Sequence, residues 1–273
     1  MSLRTAVVQL NSQDDPEANM AAVARLLDRA AELGAQFAAL PELWTYLGPY
    51  AGYEHAAQTL SGPAIQLLQE KARKHKMIIH GGSIVEPHPS LEGKFYNTSV
   101  LINRDGEIVA TYRKIHLFDV DLADGEKHHE SDRIVAGDQV TTAEIDGITF
   151  GLSVCYDLRF PELYRSLALQ GAQILLVPAA FTLHTGRDHW EILLRARAIE
   201  NLCYVVAPAQ VGKHPYDKQC YGRAMVVDPW GIVLAQAQDR PTVVVADIDL
   251  SQIERTRAQI PCLEHRKPQI YRL

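Results

Sequence analysis

The chain has 273 residues, 47% of them hydrophobic and 22% charged, enough apolar sequence for a large core, and its net charge of -6 argues against general nucleic-acid or anionic-membrane binding without indicating a cationic substrate. Cys155, Cys203, Cys220 and Cys262 show no CxxC spacing and no disulfide framework, so a reducing, cytoplasmic setting is expected. The first residues lead into a strand pattern with no signal-peptide apolar region, and no apolar run is long enough to span a bilayer.

Residues 5–10 read as a short buried strand. Asp15 caps a helix with Pro16 at its first position; Met20, Val23, Leu26, Leu27 and Ala30 recur at helical spacing, and Gly34 closes it. Residues 36–40 form a second strand, ended by Pro41-Glu42. Gly62-Pro63 opens a helix with Ile65, Leu68 and Ala72 on one face, and Lys71, Arg73 and Lys74 in its last turn suit the helix dipole. Residues 77–85 are expected as one strand. Residues 98–102 and 107–112 flank Arg104-Asp105-Gly106, a hairpin signal. The polar, His-rich stretch 114–138 reads as a long loop, and loops of that length tend to be functional or disordered.

The order then repeats. Residues 149–155 are a strand and 161–170 a helix stopped by Gly171; residues 173–177 are a strand ended by Pro178. Asp188 and Glu191 have capping-box spacing ahead of a helix running to about Asn201. Residues 202–210 are a strand, 224–228 and 232–237 a hairpin around Pro229-Trp230-Gly231, and 242–248 a late strand. Ser251 caps a short helix, and the tail from Pro261 reads as extended. Gly34-Ala35-Gln36 before one apolar run and proline parallels Gly171-Ala172-Gln173 before another. Two similar α/β halves, each a sheet with helices on one face, pack as a four-layer α-β-β-α sandwich in one domain, since no Pro-, Gly- or Ser-rich linker divides them.

Ligands of α/β sheets collect at the carboxyl ends of strands. Glu42, Lys114 and Cys155 all fall at such ends. Each alone has an ordinary explanation: a solvated carboxylate, an edge charge, a core thiol. Cys155 also precedes Pro161-Glu162, which opens a helix, and the positive end of a helix dipole lowers a thiol's pKa. If the three converge, the chemistry is acyl transfer: a thiolate attacks a carbonyl carbon, a carboxylate moves the proton, and an ammonium steadies the oxyanion, which is worth ~3 kcal/mol for one good donor.

Leu40-Pro41-Glu42, the segment from Tyr112 through Lys114 to Phe118, and the segment from Cys155 to Glu162 together resemble the nitrilase superfamily of carbon–nitrogen hydrolases, over nearly the full chain. The resemblance implies an α-β-β-α sandwich with Glu42 as general base, Lys114 at the oxyanion and Cys155 as nucleophile, and no metal or other cofactor. It also implies that Glu130 orients Lys114 and the substrate amide, and that the Tyr156 N–H completes the oxyanion hole. Tyr156-Asp157 stands where true nitrilases usually carry Trp-Glu, which favours an amidase of the Nit branch. That branch implies a small acidic amide as substrate, deaminated glutathione first, with ω-amides such as 2-oxoglutaramate as the alternative. Arg159 and Phe181 match positions that hold the substrate's carboxylate end, which a guanidinium fits bidentately. Arg159 has a second reading as an ion-pair partner of Asp157 or Glu162, and Phe181 as a core aromatic. Homo-oligomers are implied too, with the C-terminal tail at an interface.

Other readings are open to test. His116, His128, His129, Glu130, His184 and His189 supply metal-ligand types, but no HExxH or paired-Cys spacing appears. A Cys–His hydrolase would keep most of its rate without Lys114. A catalytically idle scaffold on the same fold would show no turnover above a Cys155→Ser control.

Overall fold

The computed structural model describes residues 2–121, 127–215 and 218–271. The first half comprises β1 (Ser2–Leu10), α1 (Pro16–Glu32), β2 (Phe37–Ala39), α2 (Tyr53–Ala56), α3 (Pro63–His75), β3 (Ile78–His80), β4 (Ile84–Pro87), β5 (Phe95–Ile102), β6 (Ile108–Arg113), β7 (Asp119–Asp121) and β8 (Lys127–His129). The second comprises β9 (Thr142–Ile145), β10 (Ile148–Leu152), α4 (Pro161–Leu169), β11 (Ile174–Leu176), α5 (Leu183–Asn201), β12 (Tyr204–Ala207), β13 (Ala209–Lys213), β14 (Gln219–Tyr221), β15 (Met225–Val227), β16 (Val233–Gln236), β17 (Thr242–Asp249) and α6 (Leu250–Gln259).

The strands form a nine-stranded sheet, a six-stranded sheet and the β7–β8 ribbon. In the first sheet β1, β2 and β3 run parallel; in the second β10, β11 and β12 do, so the two halves share a core pattern. Side chains alternate across β1. Leu3 and Val7 join the core that contains Phe150, Leu152 and Ile174 of the other sheet, while Ala6, Val8 and Leu10 pack with Val23 and Leu27 of α1 and Ile65 and Leu68 of α3. Phe37 meets Phe150 between the sheets, ring centroids 5.1 Å apart. Helices α4 and α5 cover the far face of the second sheet, giving the expected four layers.

The helix signals hold. Asp15 accepts from Ala18 N at the start of α1, and Gly34 follows its end with φ +78°. Elsewhere the structure corrects the expected elements. The strand expected over 77–85 is β3 and β4, both antiparallel to β5 but offset by one residue at Gly81-Gly82-Ser83, a bulge with Gly82 at φ +56°. The loop at 114–138 contains β7, β8 and a 3₁₀ turn over Glu130–Asp132; residues 122–126 of that stretch lie outside the described residues. Residues 202–210 are two strands in two sheets: β12 lies beside β11, Pro208 breaks the run, and β13 pairs with β1. Thus β13, β14 and β17 of the second half complete the first half's sheet. Helix α5 starts at Leu183 after Thr182, so Asp188 lies inside it, and Asp249 rather than Ser251 caps α6. The described part of the tail, residues 261–271, contains turns rather than running extended throughout. Among the described residues no helix is long and apolar enough to cross a membrane.

Candidate active site

Glu42 follows β2 in a loop gripped by the bulge between β3 and β4. Ser83 N donates to Pro41 O (3.2 Å), Leu43 N to Ser83 Oγ (3.0 Å), and the Trp44 indole N–H to Gly81 O (2.8 Å). From β13 of the same sheet, the Gln210 side chain donates through Nε2 to Glu42 O (3.0 Å). The glutamate is thereby fixed by the β3–β4 bulge and by β13, and its side chain is buried. Lys114 follows β6 and extends its ladder: Lys114 N donates to Asn97 O (2.9 Å) and Gly137 N to Lys114 O (2.8 Å).

Cys155 does not end β10. It begins a 3₁₀ turn over Cys155–Arg159, with φ +48°, and its N–H donates to Pro178 O (2.9 Å). A non-glycine residue in the left-handed region persists only where its surroundings hold it there. The expected thiolate made by a helix dipole is also corrected. Burial pushes the Cys155 thiol well above its ordinary pKa, the Glu42 carboxylate raises it further, and Lys114 offsets this only in part.

The structure brings the four expected residues together. Lys114 Nζ donates to Glu42 Oε1 (3.0 Å) and to Glu130 Oε2 (2.8 Å) and Oε1 (3.1 Å). Burial works against the ammonium's charge, but Glu130 and Glu42 outweigh it and hold its pKa well above the ordinary value. Glu130 is held in turn by Phe118 N, which donates to its Oε2 (2.8 Å). The second oxygen of Glu42 accepts from Ala180 N (2.8 Å), and the same N–H also acts on the Cys155 sulfur. Two carboxylates facing one ammonium leave a buried cluster with one negative charge in excess.

These groups open on a cavity of about 300 Å³ walled by Tyr50, Tyr53, Phe118, Tyr156, Phe181 and Cys220, among others. Arg159 also lines it. The alternative reading of Arg159 fails: Asp157 is taken up by Tyr112, His116 and Val154, and among the described residues Arg159 forms no ion pair with Asp157 or Glu162. Its guanidinium lies 5.9 Å from the centroid of the Tyr156 ring and 5.2 Å from that of Phe181, and both terminal nitrogens reach His189 Nδ1 at 3.3 Å. Phe181 lines the cavity and packs against Trp190 in the core, ring centroids 5.2 Å apart.

Several residues of the site were not singled out in the sequence. Asn97 Nδ2 donates to Glu42 Oε1 (2.9 Å) and Glu130 Oε1 (3.3 Å); in the sequence it is one of three consecutive polar residues with Thr98 and Ser99, and nothing local singles it out. Lys218, 5.1 Å from the Tyr50 ring centroid, and the Ala180 N–H carry no local signal at all. Of the histidines, His116 meets Asp157, His189 meets Arg159, and His128 lines the cavity beside Phe118. After burial, the largest influences on the Cys155 thiol come from Glu42 and Lys114 rather than from a histidine. Among the described residues no three His, Cys, Asp or Glu side chains are grouped to hold a metal ion.

The family model for carbon-nitrogen hydrolases matches residues 4–258. A deaminated glutathione amidase of Synechocystis sp. is 42% identical over 264 residues, covering 96% of this chain and 97% of that protein. The crystal structure of the Caenorhabditis elegans NitFhit protein superposes with a TM-score of 0.93 at 39% identity, covering 99% of this chain and 66% of that one. An amidase from Nesterenkonia sp. AN1, solved with the acetamide moiety of fluoroacetamide covalently added at its active-site cysteine, superposes with a TM-score of 0.79 at 25% identity, covering 99% of this chain and 95% of that one.

Proposed function

We propose that this chain, which belongs to the carbon–nitrogen hydrolase family, hydrolyses the amide of deaminated glutathione through a thioester on Cys155. The reading rests on the Glu42 carboxylate, which has Lys114 and Asn97 on one oxygen and the Ala180 N–H on the other, and lines the same cavity as the Cys155 thiol. Because burial and Glu42 hold the pKa of the thiol up, Glu42 takes its proton as the sulfur attacks the amide carbon. Lys114 and the Tyr156 N–H receive the developing oxyanion. Glu42 then passes the proton to the leaving amine, and the C–N bond breaks as the carbonyl reforms. A water enters, gives a proton to Glu42 and attacks the thioester, and the thiol recovers that proton on release of the acid. Glu130 keeps Lys114 charged and aimed throughout.

Arg159 faces the cavity without a carboxylate partner among the described residues, which suits a substrate that brings its own carboxylate. All four cysteines are free, consistent with work in a reducing cytosol. A pair of chains also suits the exposed apolar face of α5 and the β15–β16 turn, where Ile192, Ile199, Trp230 and Ile232 lie open and Arg195 Nε donates to Gly231 O (2.8 Å). Light scattering should report a dimer or larger, and Ile199→Glu should shift it toward monomer.

Mass spectrometry of enzyme quenched during turnover should find the acyl group on Cys155, and Cys155→Ser should be inactive. An adduct on another residue, or full activity in Cys155→Ser, overturns the mechanism. Deaminated glutathione should be turned over faster than 2-oxoglutaramate or carbamoyl amino acids; the reverse order overturns the substrate assignment.

A further inference from the structure

Asp157 is fully buried, and both of its oxygens are saturated. Oδ1 accepts from His116 N (3.1 Å) and lies 2.7 Å from His116 Nδ1; Oδ2 accepts from Tyr112 OH (2.7 Å) and Val154 N (2.8 Å). The partners are telling by position. Tyr112 and His116 stand two residues before and two after Lys114, and Val154 immediately precedes Cys155. Tyr112 OH further accepts from Ile115 N (3.4 Å), so backbone beyond Lys114 is tied to the same carboxylate. His116 is fixed over Phe160 as well, in a stack with centroids 3.6 Å apart and planes 7° apart.

We infer that Asp157 is a positioning residue that sets the distance between the Lys114 ammonium and the Cys155 sulfur, an inference that rests on the roles proposed above for those two residues. It touches neither substrate nor reacting atom. Lys114 ends a strand of one sheet and Cys155 follows a strand of the other, so their spacing depends on whatever joins the two backbones. A carboxylate can take four donors at once, and here two come from residues flanking the lysine, one from His116's backbone, and one from the residue before the cysteine. Burial makes each of these bonds strong and their loss expensive. The far end of the same turn is anchored separately, by Arg197, whose Nε and Nη2 donate to Leu158 O (3.0 and 2.8 Å). The Cys155 turn is therefore fixed to the core at its back and to the lysine at its front. Geometric errors of about an ångström at a reacting centre cost on the order of 10²-fold in rate.

The test uses Asp157→Asn, which keeps the shape but turns one acceptor into a donor, and Tyr112→Phe, which removes a single hydroxyl. Thermal midpoint, kcat, KM and the rate of Cys155 alkylation by iodoacetamide, located by mass spectrometry, are measured on the folded fraction. Asp157→Asn should lower kcat 10- to 100-fold and slow alkylation while KM stays within about threefold; Tyr112→Phe should lower kcat 3- to 10-fold. The double variant should lose less than the product of the two, since both disrupt one contact. Should Asp157→Asn not fold, the Tyr112→Phe values decide. Unchanged kcat in a folded variant, or a fall confined to thermal midpoint or to KM, overturns the inference. An active Cys155→Ser enzyme would instead overturn the underlying mechanism, so the two failures are distinguishable.

Discussion

Replacing Lys114 by methionine removes the charge with a side chain only one atom shorter. The ammonium lies 3.0 Å from Glu42 and 2.8 Å from Glu130, with 3%, 4% and 9% of the three side chains exposed. Two buried carboxylates would then face each other across Asn97 with no cation. Removing one partner of a buried ion pair costs about 3–5 kcal/mol, because the stranded charge remains. At about 2–4 °C per kcal/mol for a chain of this order of size, the thermal midpoint should fall by about 6–20 °C. Activity should fall further than stability explains. Loss of one oxyanion donor removes about 3 kcal/mol, or 10²-fold, and Glu42 also loses the contact that fixes its Oε1. The assay is kcat/KM at a temperature where the variant is folded, alongside urea unfolding. Adding Glu130→Gln should restore part of the stability, since one stranded charge goes, but none of the rate. A Lys114→Met enzyme within tenfold of the original rate, or destabilised by less than about 1 kcal/mol, would refute both the charge argument and the catalytic assignment.

His80 is fully buried, with Nε2 on Ser99 Oγ (2.8 Å), and burial lowers its pKa from 6.5 to about 3. The unfolded chain binds this proton below pH 6.5 and the folded one does not, so stability falls as pH falls; integration gives about 2 kcal/mol lost between pH 7.5 and 5, which urea unfolding of the original protein but not of His80→Gln should display. A Cβ on Gly82 would come within 2.1 Å of Pro41 O, at φ +56°, so Gly82→Ala should destabilise by more than about 3 kcal/mol and, by moving the Glu42 loop, cut kcat in whatever folds; wild-type unfolding curves would contradict this. Arg159→Ala should raise KM for a carboxylate-bearing amide by about 10- to 150-fold, the loss of 1.5–3 kcal/mol for a charged hydrogen bond, and leave a neutral amide unaffected; an equal loss for both would show that Arg159 acts on the fold instead.

Features legible in the sequence were those whose physics is local. Asp15-Pro16 and Gly62-Pro63 start helices because a cap and a fixed φ act within one turn, and the short, mostly apolar run from Thr5 to Leu10 reads as a buried strand, whose two faces meet different cores. Glu42 and Lys114 could be placed because a strand's end is a local fact. The illegible features depend on partners distant in the chain. Nothing within residues 202–210 says that the run changes sheets at Pro208, since the choice is made by β1 and β11. The bulge at Gly81-Gly82-Ser83 exists to meet the Pro41–Trp44 backbone, some forty residues away. Cys155 shows the same limit in chemical form. Its neighbours along the chain point to a helix end that would lower its pKa, whereas its neighbours in space, a wall of burial and the Glu42 carboxylate, raise it. A nucleophile's charge state is set by what surrounds it, and for this sulfur the decisive group lies 113 positions back along the chain. In the proposed mechanism that reversal changes what the base must do: Glu42 removes the proton during the attack rather than standing beside a ready thiolate, so its removal should abolish acylation itself rather than only the hydrolysis that follows.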